Sequence, residues 1–183
     1  MLKTGLENPA AGTVSEEAER GMLMWLWVAA VVIAVDQLTK WMAESTLVEV
    51  GNYIEVMPHL NWKLAYNYGA AFSFLGNQDG WQVWFFSALA IGVSLFIINW
   101  LRKLRKTSRL AATGLVLVLG GAIGNLIDRL LYGKVIDFID VYFDIPWVME
   151  NYHFATFNVA DIAITIGAVI LVFLSLFAED SME

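Results

Sequence analysis

The chain has 183 residues, of which 58% are hydrophobic and only 16% charged, whereas a soluble domain carries about a quarter charged residues. That balance points to lipid rather than water and disfavours a soluble protein with buried core helices, while a net charge of -7 with few, locally clustered basic residues says little about nucleic acid. No cysteine is present, which excludes disulfides, thiolate metal sites and thiol nucleophiles.

Residues 1–21 are polar, carry Glu7, Glu16, Glu17 and Glu19, and lack hydrophobic periodicity, so a flexible tail is expected. The apolar stretch Met22–Val35 lacks the basic leader and the small-residue cleavage site of a signal peptide. A spanning helix is therefore predicted to continue from it through Asp36 and Lys40 to Met42. Three more spans are predicted at Trp81–Leu101, Leu110–Leu131 and Asn158–Ala178, each approaching the ~20 residues that cross ~30 Å of hydrocarbon. Trp25, Trp27, Trp41, Trp81, Trp84, Trp100 and Tyr132 lie near the proposed ends, where amphipathic rings prefer to sit. Gly120, Gly121 and Gly124 on the third span predict close helix–helix approach.

Between spans two and three the sequence RKLRKTSR gathers Arg102, Lys103, Arg105, Lys106 and Arg109, while the other two connections hold only Lys63 and Lys134. Positive charge stays inside, so this turn and both termini, including the acidic end 179–183, are expected in the cytoplasm. Loops 43–80 and 132–157 then face the other side. In the first of these, Val48 and Val50, then Ile54 and Val56, alternate with Glu49 and Glu55 around Gly51-Asn52, and the run Asn61–Asn67 alternates again. This predicts a small antiparallel sheet, with Trp62, Leu64 and Tyr66 forming an apolar face that rests on the membrane surface. The fold class is thus membrane α-helical: four spans with a small extracytoplasmic antiparallel β-sheet, residues 22–178 forming the membrane domain.

Ionisable groups inside a membrane cost ~2.5–3.5 kcal/mol each near the centre and mark partners or function. Asp36 and Lys40, four apart on one helix face, suit an orienting ion pair. Asn125, Asp128 and Arg129 fall at the outer end of span three, with Asp128–Arg129 readable as a snorkelling helix-end pair. Asp137 and Asp140 follow, and Asn158 and Asp161 occupy the first turn of span four, where Asn158 suits a helix cap. Asp140 and Asp144 read as solvated loop acids. Asp161 is the hardest to assign to the surface, because an uncharged run follows it. Its natural partner is Asp137, which stands among Val135, Ile136, Phe138 and Ile139. Two carboxyls sharing a site hold one proton between them, an arrangement suited to adding water to an amide. Spacing and topology alone leave catalysis and a structural role both open. With only His59 and His153, both in outer loops where a plain polar role is expected, there is no HExxH pair; GxSxG and GxxxxGK[ST] are also absent.

In order, DQLTK at 36–40, NYGAAFSFL at 67–75, GGAIGNLIDR at 120–129, VIDFID at 135–140 and FNVADIAITIG at 157–167 resemble the bacterial lipoprotein signal peptidases, or signal peptidase II family. The resemblance implies an aspartic endopeptidase of the inner membrane. Such an enzyme removes the signal peptide of diacylglyceryl-modified prolipoproteins on the N-terminal side of the lipidated cysteine, with no metal and no cofactor. It implies Asp137 and Asp161 as the catalytic pair, with Asp36, Lys40, Asn67, Gly121, Asn125, Arg129, Asn158 and Ala160 orienting them or holding substrate. The partners it implies are the lipidated prolipoprotein, membrane lipid and a globomycin-type inhibitor; a monomer is expected. Two other classes are weighed: a proton-coupled transporter, disfavoured by the apolar inner halves of spans three and four, and a non-catalytic lipoprotein-binding scaffold.

Overall fold

The computed structural model describes residues 21–69, 80–145 and 149–177. Residues 1–20 of the expected tail, most of the 67–75 motif and the acidic C-terminal end lie outside the described residues. Gly21, assigned to that tail, instead donates its N–H to the Leu104 carbonyl at 2.8 Å.

After a short 3-10 turn at Leu23–Trp25, helix α1 runs over Leu26–Leu47, α2 over Trp81–Lys103, α3 over Arg109–Tyr132 and α4 over Val159–Phe177. Each is long and apolar enough to cross a membrane. Trp27, Trp84, Leu95, Val169, Phe173 and Leu176 on these helices are all exposed, an amount of apolar surface that fits a lipid environment. Helix α3 is the most buried of the four and packs against the other three. Its glycines set that packing. A Cβ on Gly120 would meet Val32 of α1 at 2.8 Å, and one on Gly121 would collide with the Ala160 carbonyl and approach Ile164 of α4 at 2.7 Å. The expected close approach is therefore present. Leu101, Leu104, Ala112, Leu115, Val116 and Leu119 fill the core between the helices.

The sheet is larger than the sequence predicts. Strands Tyr53–Met57 (β1), Leu60–Asn67 (β2), Val135–Ile145 (β3) and Met149–His153 (β4) form one antiparallel sheet in the order β1-β2-β3-β4, so both outer loops contribute. The expected strand at 48–50 is absent, because α1 runs five residues beyond Met42. Ala43 and Leu47 continue the buried stripe of Asp36 and Lys40, spaced as one face of a helix. The hairpin turn is at Pro58-His59 rather than Gly51-Asn52: Met57 pairs with Leu60, and His59 has φ 73. Proline first and a positive φ second is the chemistry of a type II turn. Gly51 and Asn52 bond Leu64 instead, at 2.8 and 3.0 Å.

The Trp62, Leu64 and Tyr66 face, expected at the membrane surface, is turned toward the protein, with Leu64 buried and Trp62 and Tyr66 partly buried. It packs inward with Ala43, Leu47, Ile136 and Phe138, seating the sheet on the end of α1. Tyr66 also donates to the Glu44 carboxylate at 3.0 Å, while the Lys134 ammonium lies 3.1 Å from the Tyr66 ring centroid. Gly133, in left-handed conformation at φ 69, ends α3 and returns its N–H to Arg129 at 3.0 Å. The chain thereby enters β3 directly and delivers Asp137 to the mouth of the bundle.

Candidate active site

Lys40, reached from α1, is almost wholly buried, and its ammonium lies 2.8 Å from both Asp36 and Asp128 and 3.0 Å from the Asn125 side-chain oxygen. Asp36 accepts the Ala160 N–H of α4 at 2.9 Å. Asp128 accepts the Ile136 N–H of β3 at 3.1 Å and the Gln37 amide at 2.8 Å. One buried ion triad thus binds α1, α3, α4 and β3 together. The predicted Asp36–Lys40 pair is present. The predicted Asp128–Arg129 pair is not: adjacent helical residues point about 100° apart, so Asp128 turns inward to Lys40. Arg129 reaches the Asn125 carbonyl at 3.4 Å and the Gly69 carbonyl at 3.3 Å, and stands over the Phe86 ring at 5.5 Å.

Asn158 and Asp161 form a reciprocal cap at the start of α4. The Asp161 N–H donates to the Asn158 side chain at 2.9 Å, and the Asn158 N–H donates to the Asp161 carboxylate at 3.2 Å. The predicted cap is therefore real, yet the same Asn158 amide also donates to Asp137 at 2.7 Å and to the Asn125 side-chain oxygen at 3.1 Å. Asn125 in turn donates to Asp161 at 2.8 Å. Asn67, at the end of β2, adds a further side-chain hydrogen bond to Asp137. Each acid is held by an amide, and the two amides hold each other.

Asp137 is buried, and that burial together with the neighbouring Asp161 carboxylate pushes its carboxyl up to about 7. The Asn67 and Asn158 hydrogen bonds and the Lys40 charge pull the other way and are outweighed. Among the described residues, four carboxyls, those of Asp36, Asp128, Asp137 and Asp161, face the cations of Lys40 and Arg129. A proton retained at Asp137 lessens that imbalance.

Every residue singled out by motif is gathered here: Asp36, Lys40, Asn67, Gly121, Asn125, Arg129, Asp137, Asn158, Ala160 and Asp161. Gly121 and Ala160 contribute by letting α3 and α4 touch. The sequence reading missed Gln37 as a donor to Asp128, although it lies inside the DQLTK motif one residue from Asp36. It also misjudged Asp140, which is no solvated loop acid. Asp140 is 1% exposed and accepts from Asn61 at 2.9 Å and His153 at 2.9 Å. The side chain of Asp144 lies outside the described residues. Among the described residues no group of three or more metal-ligating side chains converges.

Four spanning helices under a small sheet, with a buried and a half-buried acid joined by amides where the two meet, define a polytopic membrane enzyme. A family model described as "Signal peptidase (SPase) II" matches residues 28–177. The chain is 50% identical over 146 residues to a lipoprotein signal peptidase of Hydrogenovibrio crunogenus, covering 80% of this chain and 81% of that one. It is 45% identical over 157 residues to one from Coxiella burnetii, covering 86% and 92%. A solved bacterial membrane enzyme, determined by the in meso method at 2.3 Å, superposes with a TM-score of 0.75 at 30% identity, covering 90% of this chain and 94% of the other. The chain belongs to the signal peptidase II family. It is a membrane hydrolase that cleaves signal peptides from prolipoproteins.

Proposed function

We propose that Asp137 and Asp161 are the catalytic pair, acting on diacylglyceryl-modified prolipoprotein and cutting on the N-terminal side of the lipidated cysteine. The observation that carries this reading is the linked amide pair: Asn158 holds Asp137, Asn125 holds Asp161, and the two amides bond each other. With one proton between them, the carboxylate takes a proton from water as the water oxygen bonds the scissile carbonyl carbon. The protonated acid polarises the carbonyl oxygen. Collapse then breaks the C–N bond, with a proton delivered to the departing amine of the cysteine. Lys40 bridges Asp36 and Asp128 beside the pair, and its charge also acts on Asp137.

Arg129 and its surroundings are the proposed substrate-holding region. A cleft of about 290 Å³ between α2 and α3, lined by Gly80, Val83, Trp84, Ser87, Arg129 and Leu130, supports sideways entry from lipid. The enzyme is further proposed to reside as a monomer in the bacterial inner membrane, termini in the cytoplasm and sheet outside, and to accept a globomycin-type inhibitor. Residues 22–178 form the peptidase unit on this reading.

The test is cleavage of a purified lipidated substrate in detergent by wild type, Asp137→Asn and Asp161→Asn, with a chelator present. Both variants are expected to insert and fold yet lose activity by at least about 10³-fold, in the range seen when an acid–base group is removed. Normal processing by either variant would overturn the assignment, and loss of wild-type activity on chelation would overturn the metal-free mechanism.

A further inference from the structure

Asp161 reaches Asp137 through two mechanical routes. One is the helix bundle, through α3. The other is the chain itself: β4 leads through residues 154–157 into Asn158 and the start of α4. That connector is tied to β3 at its two ends. Phe157 exchanges N–H···O bonds with Ile139 at 2.8 and 3.0 Å, and Phe154 donates to Val141 at 2.8 Å. Beside these ties lies the Asp140 carboxylate, three residues along β3 from Asp137. It accepts from His153 Nδ1 on β4 at 2.9 Å and from Asn61 on β2 at 2.9 Å, joining three strands through one buried acid. The His153 side chain is 45% exposed where Asp140 is 1% exposed. Tyr142 stacks on the His153 ring at 5.3 Å, and the His59 ring stands 5.5 Å beyond Tyr142.

A buried acid in a sheet is costly unless its donors are in place. A one-residue slip of β4 would move His153 to the other face and leave Asp140 with Asn61 alone. The contact therefore fixes a single register for the strand that feeds the active helix. We infer that the Asp140–His153 contact is a positioning clamp for the peptidase reaction, holding the 154–157 connector against β3 and so setting Asn158 and Asp161 opposite Asp137. Neither residue touches substrate; both act through the connector. The inference rests on the catalytic pair proposed above.

The experiment compares wild type, Asp140→Asn, His153→Ala and His153→Asn, each as the full chain in detergent with lipidated substrate. Asparagine places an amide N–H close to where histidine carries Nδ1, so His153→Asn restores the donor without the ring. Misplacing reacting groups by about 1 Å costs up to ~100-fold. Asp140→Asn and His153→Ala are expected to lower kcat about 10-fold with KM changed less than about 2-fold, while His153→Asn recovers most of the loss. The pH profile supplies a second readout. Asp137 faces Asp161 from α4, Lys40 from α1 and Arg129 from α3. If Asp161 drifts away, its upward push on Asp137 weakens, so the alkaline limb of kcat moves to lower pH in His153→Ala and returns in His153→Asn.

Unchanged kcat in both Asp140→Asn and His153→Ala overturns the clamp. So does equal loss in His153→Asn and His153→Ala, or loss with an unmoved alkaline limb. Should Asp140→Asn fail to fold, the two His153 variants decide alone, since that half-exposed ring can be replaced while Asn61 still holds Asp140. Asp137→Asn is run alongside. If it cleaves normally, the catalytic assignment fails and the clamp with it, a result distinct from clamp failure, in which Asp137→Asn is inactive and the clamp variants are normal.

Discussion

Lys40 shows how a membrane enzyme keeps charge in its interior. Its single ammonium serves two carboxylates and an amide, all within 3.0 Å, and the carboxylates also accept the Ala160 and Ile136 N–H groups and the Gln37 amide. Removing one partner of such a group leaves uncompensated buried charge, at a cost of about 3–5 kcal/mol. Lys40→Met should therefore lower the unfolding free energy in detergent by about that amount, measured by chemical denaturation; a shift under ~0.5 kcal/mol would show that the triad is not stabilising. Asp137 gives the corresponding pH prediction. Its folded carboxyl titrates at about 7 against an ordinary 3.8. Below ~3.8 folded and unfolded chains both hold the proton. Between there and about 7 only the folded chain holds it, so its contribution to stability declines as pH rises and is fully lost above 7. If the retained proton is the one the reaction uses, kcat/KM should fall as pH rises through about 7. An activity flat from pH 6 to 9, a range chosen to bracket that carboxyl by ~1–2 units, would dissociate Asp137 from the chemistry.

Among the elements, α3 is the one the site is built around, because its glycine face lets α1 and α4 come close enough for Asp36 and Ala160 to meet. A Cβ at Gly121 meets the backbone carbonyl of Ala160, which cannot rotate aside. Gly121→Ala should cost about 1–3 kcal/mol by overpacking and reduce cleavage as α4 shifts; unchanged thermal stability and activity would mean that the helices accommodate the methyl freely. The spans were legible because hydropathy is a one-dimensional property. The end of α1 was not, because Glu44, Ser45 and Thr46 break the hydrophobic run on the partly or fully exposed side while Ala43 and Leu47 continue it on the buried side. Gly51-Asn52 offered better turn chemistry than Pro58-His59, but the longer helix consumed the residues that would have formed the strand before it. β3 and β4 pair across the second loop, and β3 pairs with β2 more than sixty residues away. Such non-local pairing is written in no local window. The site's charged members were legible as misplaced polar residues, while their partners were not. Asp128 stands next to Arg129 in sequence yet bonds Lys40, and Asp140 is a buried tie rather than a solvated acid.

For the whole molecule, the helices run up and down, so the sheet and the Arg102–Arg109 turn occupy opposite ends of the bundle. Five of the chain's eleven basic residues lie in that turn, whereas the sheet end carries the acids of the site together with Lys63 and Lys134. Transfer of the loops across a bilayer responds to this asymmetry, since short basic loops are retained on the cytoplasmic side. On the orientation proposed above, a prolipoprotein exported with its lipidated cysteine on the far side of the membrane meets the acids without crossing back. The absence of cysteine makes the orientation directly measurable, because a single introduced thiol has no background. Glu49→Cys, in the exposed turn after α1, and Thr107→Cys, exposed in the basic turn, report the two ends. In cells whose outer membrane alone is permeabilised, an impermeant maleimide should label Glu49→Cys readily, and Thr107→Cys only after lysis. The opposite pattern would invert the molecule and put the proposed catalytic pair on the side of the membrane that exported substrate has left.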